Sequence, residues 1–155
     1  MTRLTRSLDA ALGWLELGLP VEALRELDAL AEADRHRTET LELRAVLLQQ
    51  LGRWEEAGAT YEILCRQDGA CAERFIAWGC CLYEQNRITE ARAALLAAPD
   101  GARQNGLWNF HLACYESLLG NPDEARRLVR RSLEIEPRLR SLADGNSNLA
   151  PLLTA

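Results

Sequence analysis

Apolar residues recur three and four positions apart along most of the chain. Leu24, Leu27 and Leu30 show this spacing in one segment, and Leu41 and Ala45 show it in another. It places the apolar side chains on one face of an α-helix. The pattern predicts no β-strand and eight helices, near residues 4–17, 20–34, 38–51, 54–67, 72–85, 88–98, 107–119 and 122–136.

The helical pattern itself repeats every 34 residues, in four copies without insertion or deletion. The repeated columns are a small residue (Ala11, Ala45, Gly79, Ala113), a turn residue (Gly18, Gly52, Asn86, Gly120), and Glu-Ala (22–23, 56–57, 90–91, 124–125). Glycine and asparagine tolerate the left-handed conformation that ends a helix. Small residues let two helices approach closely. Each copy is therefore predicted to be a helix–turn–helix unit that buries its apolar face against its neighbours.

A 34-residue helix–turn–helix with these columns resembles the tetratricopeptide repeat. The last copy, "HLACYESLLGNPDEARRLVRRSLEIEP", fits the family pattern best, and Pro137 closes it. The resemblance implies an all-α, right-handed superhelical solenoid of four antiparallel helix–turn–helix repeats. We expect a single domain with repeats at residues 4–37, 38–71, 72–105 and 106–137, and a capping tail at 138–155 similar to that of many bacterial members.

The third copy departs from the pattern in its second helix. Pro99 and Gly101 break helices, so this helix should end early and be followed by a loop that reaches about Asn105.

In the resembled family, the first helix of each repeat lines a concave groove. The residues here that would project from the first helices are mostly apolar, with glutamates at the rim, which is typical of an interaction surface. They are Leu8, Leu12, Glu16, Glu39, Leu43, Val46, Gln50, Glu73, Ile76, Cys80, Tyr83, Phe110, His111, Cys114 and Ser117. We expect a peptide or helix with apolar anchors and basic flanks to bind there. Two alternatives stay open: packing against a neighbouring helix, or cover by tail residues 149–153.

Composition narrows the classes of partner and compartment. The formal net charge of -5 disfavours nucleic acid, because phosphate binding requires a cationic surface. No apolar stretch is long enough to span a membrane, and the N-terminus lacks the pattern of a signal peptide. Five cysteines without a CxxC pair are typical of free thiols in a cytoplasmic protein. We therefore expect a protein or peptide partner, and neither nucleic acid, membrane nor small-molecule substrate.

Catalytic and metal-binding patterns are weak. The chain has two histidines, no supported nucleophile–base arrangement and no glycine-rich phosphate loop, so we expect no enzyme activity, no cofactor and no metal. Cys80, His111 and Cys114 form the one grouping of metal-ligating types in the groove, but a structural zinc site needs four ligands. A metal- or thiol-dependent sensor or enzyme that uses these three residues is kept as an alternative.

The pattern as a whole predicts a non-catalytic, cytoplasmic scaffold or adaptor. An alternative within the binding class is a chaperone that shields an apolar segment of a secretion substrate. Family members that clamp the acidic terminus of heat-shock chaperones use cations, whereas Leu8, Leu12, Glu73 and Ala77 occupy the corresponding places here. Arginines at 126, 127, 130 and 131 form a basic stripe, which we interpret as a solvated helix face. The alternatives are docking of an acidic partner or, more rarely, of a nucleic-acid backbone.

Overall fold

The computed structural model describes residues 2–154, which form two compact units, Met1–Gln67 and Asp68–Ala155. Helices account for all the regular structure of the described residues. The first unit contains α1 (Arg3–Glu16), α2 (Pro20–Asp28), α3 (Glu32–Arg35), α4 (Thr38–Gln50) and α5 (Trp54–Gln67). The second contains α6 (Ala72–Glu84), α7 (Ile88–Leu96), α8 (Gly106–Leu118), α9 (Pro122–Ile135), α10 (Arg140–Asp144), α11 (Ala150–Leu153), and 3₁₀ helices at Asp100–Gln104 and Pro137–Leu139.

The predicted turn column ends the first helix of every repeat. Gly18, Gly52, Asn86 and Gly120 all have positive φ, between 59° and 83°. One residue further on, each backbone N–H donates to a carbonyl five residues earlier, for example Asn121 to Glu116 at 2.9 Å. This is the Schellman arrangement that satisfies the last carbonyls of a helix. Four identical chain reversals therefore pair α1 with α2, α4 with α5, α6 with α7, and α8 with α9.

The two units share a plan that repeats every 68 residues. In each, the second helix of the first repeat has 9 residues (α2, α7), and that of the second repeat has 14 (α5, α9). The early end of α7 was predicted, but the segment up to Asn105 forms a 3₁₀ helix. The prediction of one helix over 20–34 was wrong. The chain turns after Asp28 and buries Leu30, and a separate short helix follows.

Each unit has an apolar core between its paired helices. In the first unit, Leu27, Leu47 and Leu64 are fully buried. In the second, the core includes Leu95, Val129 and the tail residue Leu149. At the small-residue column, a Cβ on Gly79 would lie 2.3 Å from Leu95 Cδ1, so the Leu95 side chain fills the space that an alanine methyl group would need. None of the helices within residues 2–154 combines the length and apolarity needed to cross a membrane.

Candidate peptide-binding site

Each repeat begins with a first helix, which is α1 or α4 in the first unit and α6 or α8 in the second. We call the faces that carry the predicted groove residues the first-helix faces. The first-helix face of the first unit is open and apolar. Leu12 on α1 is 45% exposed and Val46 on α4 is 39% exposed. Leu8 and Leu43 beside them are half-buried. Glu16, Glu39 and Gln50, the other predicted members, are exposed. This face therefore presents apolar side chains to solvent with carboxylates close to them in sequence.

The first-helix face of the second unit is packed more deeply. The structure places Ile76, Phe110 and Cys114 among the buried residues, so these side chains do not project freely into solvent. The remaining predicted members are half-buried (Cys80, His111, Ser117) or exposed (Glu73, Tyr83). The helical period assigned these residues to one face, but it carried no information on how deeply that face is covered.

A cavity of about 190 Å³ opens between α6, α8 and the tail. We call it the aromatic cavity. It is lined by Cys80, Tyr83, Glu84, Phe110, His111, Cys114, Tyr115, Asn146 and Asn148. The rings of Tyr83 and Tyr115 stack with centroids 5.9 Å apart, and Phe110 meets His111 edge-on. An apolar cavity of roughly 150 Å³ admits benzene, so this one has room for an aromatic or branched aliphatic side chain.

The tail closes one side of the aromatic cavity. Ser117 Oγ donates to the Asn148 carbonyl at 3.1 Å, and Asn146 Nδ2 donates to Cys114 Sγ at 3.5 Å. Leu149 anchors this segment, since its side chain is fully buried in the core of the second unit. The tail thus covers part of α8, and it leaves Tyr83 at the cavity exposed.

Burial keeps an imidazole and two thiols of the aromatic cavity uncharged. Burial lowers the pKa of His111, which favours the neutral imidazole. It raises the pKa of the Cys80 thiol, and it raises that of Cys114 to about 12, so both sulfurs stay protonated at neutral pH. Since the thiolate is the reactive form of cysteine, neither thiol is activated as a nucleophile. These three groups therefore add no charge to the cavity.

The sulfur and imidazole atoms nevertheless lie close together. Cys80 Sγ is 3.7 Å from His111 Nδ1, and it lies near the Tyr115 hydroxyl. That hydroxyl oxygen is buried and makes no hydrogen bond of adequate geometry. Burial and the nearby thiol both raise the pKa of this hydroxyl group. A group of three or more His, Cys, Asp or Glu side chains placed to hold a metal does not occur within residues 2–154.

Sequence reasoning missed four residues of the aromatic cavity as site members: Glu84, Tyr115, Asn146 and Asn148. Tyr115 stands next to the predicted Cys114, and its size was the only signal in the sequence. Asn146 and Asn148 lie about 31 residues after the side chains they meet, outside any repeat column. Glu73, predicted at the rim, accepts a hydrogen bond from Asn105 Nδ2.

No family model matches the sequence, and no curated protein matches it. Solved structures do match. A fragment of MamA from Desulfovibrio magneticus RS-1 has a TM-score of 0.79 and 16% identity, over 99% of this chain and 93% of that one. PilF from Pseudomonas aeruginosa has a TM-score of 0.77 and 23% identity, over 98% and 68%. The chain has the tetratricopeptide-repeat fold.

A third structure with this tetratricopeptide-repeat fold was solved with a peptide. It is the type III secretion chaperone SycD of Yersinia enterocolitica in complex with a peptide of the translocator YopD. Its TM-score is 0.66 at 21% identity, over 75% of this chain and 92% of that one. The comparisons confirm the all-α solenoid that the four sequence columns predicted.

Proposed function

We propose that this tetratricopeptide-repeat chain is a non-catalytic scaffold or adaptor that binds a protein segment through its first-helix faces. The aromatic cavity carries the proposal, because it is preformed and walled by three aromatic rings, and because its imidazole and its two thiols are uncharged. A single aromatic or branched aliphatic side chain of the partner would enter it. On the first unit, taken by itself, an apolar segment would cover Leu12 and Val46, which are both exposed.

Charge sets the preferred flanks of that segment. Glu16 and Glu39 on the first unit and Glu84 beside the aromatic cavity are exposed carboxylates. Lysine or arginine next to the apolar anchors would meet them, which would raise the association rate more than the affinity. The five free cysteines support a place in the reducing cytoplasm.

A selection from random peptides tests this function even though the partner is unidentified. Random 12-residue peptides are selected on the wild-type protein, and their dissociation constants are measured by fluorescence anisotropy. We expect the selected peptides to share an apolar anchor. Leu12→Glu/Val46→Glu should weaken at least tenfold the binding of peptides that use the first unit. Tyr83→Glu should do the same for peptides that use the aromatic cavity, because each variant places a carboxylate on an apolar face.

Ile63 supplies the matched control, because it is a comparably exposed apolar residue on a second helix, α5. The variant Ile63→Glu should leave the dissociation constants within twofold of wild type. Equal losses for Ile63→Glu and the first-helix variants would rule out specific binding at these faces. Circular dichroism of all variants separates loss of binding from loss of structure.

The structure of SycD with a translocator peptide favours a second candidate, a chaperone that shields an apolar segment of a secretion substrate. The two functions differ in whether the partner protein stays soluble when this chain is absent. A chaperone substrate aggregates when it is expressed without this chain, whereas an adaptor's partner stays folded. Solubility of an identified partner with and without co-expression therefore discriminates them.

A further inference from the structure

A second groove lies outside the first-helix faces, between α8 and α9 of the second unit. Its volume is about 540 Å³. Five arginines and three carboxylates line it, so its formal charge is +2 in a chain of net charge -5. The arginines are Arg103, Arg126, Arg127, Arg130 and Arg131. We call it the arginine groove.

The first unit contains the equivalent groove, 68 residues earlier, with different chemistry. That groove has a volume of about 300 Å³ and is lined by two arginines and two carboxylates, so its charge is balanced apart from His36. Arg44 donates to Asp28 there. Leu112 and Leu96 occupy the equivalent positions in the arginine groove. The groove of the first unit therefore contains an ion pair. The arginine groove has two leucines at the equivalent positions.

The repeat fold does not require the arginines of α9. The residues 68 positions before Arg126, Arg127, Arg130 and Arg131 are Gly58, Ala59, Glu62 and Ile63. They stand in α5, which has the same length as α9, 14 residues. The equivalent helix α5 thus forms without a cation at any of these four positions. The positive charge of α9 is therefore not needed to form this helix.

Among residues 2–154, part of this positive charge has no neutralising partner. Arg130 makes no hydrogen bond or ion pair with any of residues 2–154. The Nε atom of Arg126 is buried without a hydrogen-bond partner. The Nη1 atom of the same side chain forms an ion pair with the highly exposed Asp123 carboxylate. Exposed pairs of this kind contribute between 0 and about 1 kcal/mol. An incoming anion could therefore exchange for them readily.

We propose that the arginine groove binds an acidic amphipathic segment of a partner protein. Carboxylates of that segment pair with Arg126 and Arg130, and an apolar side chain covers Leu96, which is 47% exposed at the edge of the groove. Guanidinium groups bind carboxylates with two parallel hydrogen bonds. The exposed apolar residue beside the arginines favours an amphipathic protein segment over a nucleic-acid backbone.

Fluorescence anisotropy with defined probes tests this proposal. The probes are an 18-residue helical peptide of leucine, alanine and glutamate, the same peptide with every glutamate replaced by glutamine, and an 18-residue oligothymidylate. We expect the acidic peptide to bind at least tenfold more tightly than its glutamine counterpart at low salt. Arg130→Glu should weaken its binding at least fivefold, and Arg126→Ala/Arg130→Ala should do the same.

Arg66→Glu is the matched control, since Arg66 is an exposed arginine on α5. It makes the same change in net charge and should leave the dissociation constant of the acidic peptide within twofold. A comparable loss for Arg66→Glu would reduce the effect to net charge and overturn the proposal. Tighter, Arg130-dependent binding of the oligothymidylate would overturn it as well, in favour of a nucleic-acid site. Leu12→Glu/Val46→Glu should leave this binding unchanged, which separates it from the proposed function.

Discussion

The two units use the same helix plan to hold different chemistry at equivalent positions. Where the first unit has Leu24 and Leu48, both buried, the second has Arg92 and Glu116. Arg92 Nε donates to the Glu116 carboxylate, which is 4% exposed and also accepts from Asn121 Nδ2 at 2.7 Å. Two buried leucines and an ion pair thus occupy equivalent positions in two otherwise similar helix pairings.

The first-helix faces differ in the same manner. Leu43 and Val46 of the first unit correspond to His111 and Cys114 of the second, at the aromatic cavity. The tail segment that covers part of α8 contributes Asn146 and Asn148 to that cavity. The comparison teaches that the turn and small-residue columns maintain the fold. The positions between them vary from unit to unit, and these positions carry the features that we connect with binding.

The largest expected effect is on the tail. Leu149→Ala removes a fully buried side chain from the core of the second unit. We expect it to lower the free energy of unfolding by about 3 kcal/mol, within the usual range for buried leucine. Urea denaturation followed by circular dichroism measures this, with the exposed Leu142→Ala as control. A loss below about 1 kcal/mol would show that the tail is not part of the core.

Arg92→Leu should destabilise by about 2 kcal/mol, because it leaves the buried Glu116 carboxylate without its cation. This is below the usual 3–5 kcal/mol for breaking a buried pair, since the Arg92 side chain is 41% exposed. Arg92→Leu/Glu116→Leu restores the leucine pair of the first unit and should return stability to within about 1 kcal/mol of wild type. An additive loss in the double variant would contradict the equivalence of the two places.

His111→Leu should alter how stability depends on pH. The pKa of His111 is lowered in the folded state, so the unfolded chain binds a proton first as the pH falls below about 6.5. The wild type therefore loses stability as the pH falls from 7 toward the folded pKa, and this contribution is fully present above 7. The other titratable groups at the cavity are Cys80, Tyr83, Glu84, Cys114 and Tyr115.

Leucine at position 111, as at Leu43 in the first unit, cannot titrate. Thermal unfolding at pH 7.5 and 5.5 should show a smaller acid shift of Tm for His111→Leu than for the wild type. Identical shifts would mean that His111 is accessible to protons in the folded protein.

The smallest effect is expected at the groove of the first unit. Asp28→Leu/Arg44→Leu replaces its ion pair with the residue type found at Leu96 and Leu112. The Asp28 carboxylate of this pair is 56% exposed, so the free energy of unfolding should change by less than about 1 kcal/mol. Chemical denaturation checks this, and a loss above about 2 kcal/mol would show that the pair supports the fold.

Sequence periodicity predicted the features that depend on local conformation. Gly52 and Gly120 adopt the positive φ that their column implied, and Asn86 does so in place of glycine. Pro99 predicted the early end of α7. These outcomes follow from the φ angles that glycine, asparagine and proline can adopt, which do not depend on the rest of the chain.

Features that depend on depth and on distant contacts could not be predicted. The period placed Phe110 on a first-helix face, but its burial depends on how the surrounding helices and the tail pack. The contact of Ser117 with Asn148 joins residues 31 positions apart that share no column. The end of α2 at Asp28 was missed because no proline or glycine marks it, and the burial of Leu30 just beyond it depends on tertiary packing.

Photo-crosslinking tests the central claim, that the aromatic cavity receives an apolar side chain of a partner segment. A selected peptide is synthesised with a diazirine analogue of leucine at its anchor position, irradiated with the protein, and the adduct is mapped by mass spectrometry. We predict crosslinks to residues of α6 and α8 at the cavity, among them Tyr83 and Phe110. Crosslinks confined to the second helices α5, α7 and α9 would contradict the claim.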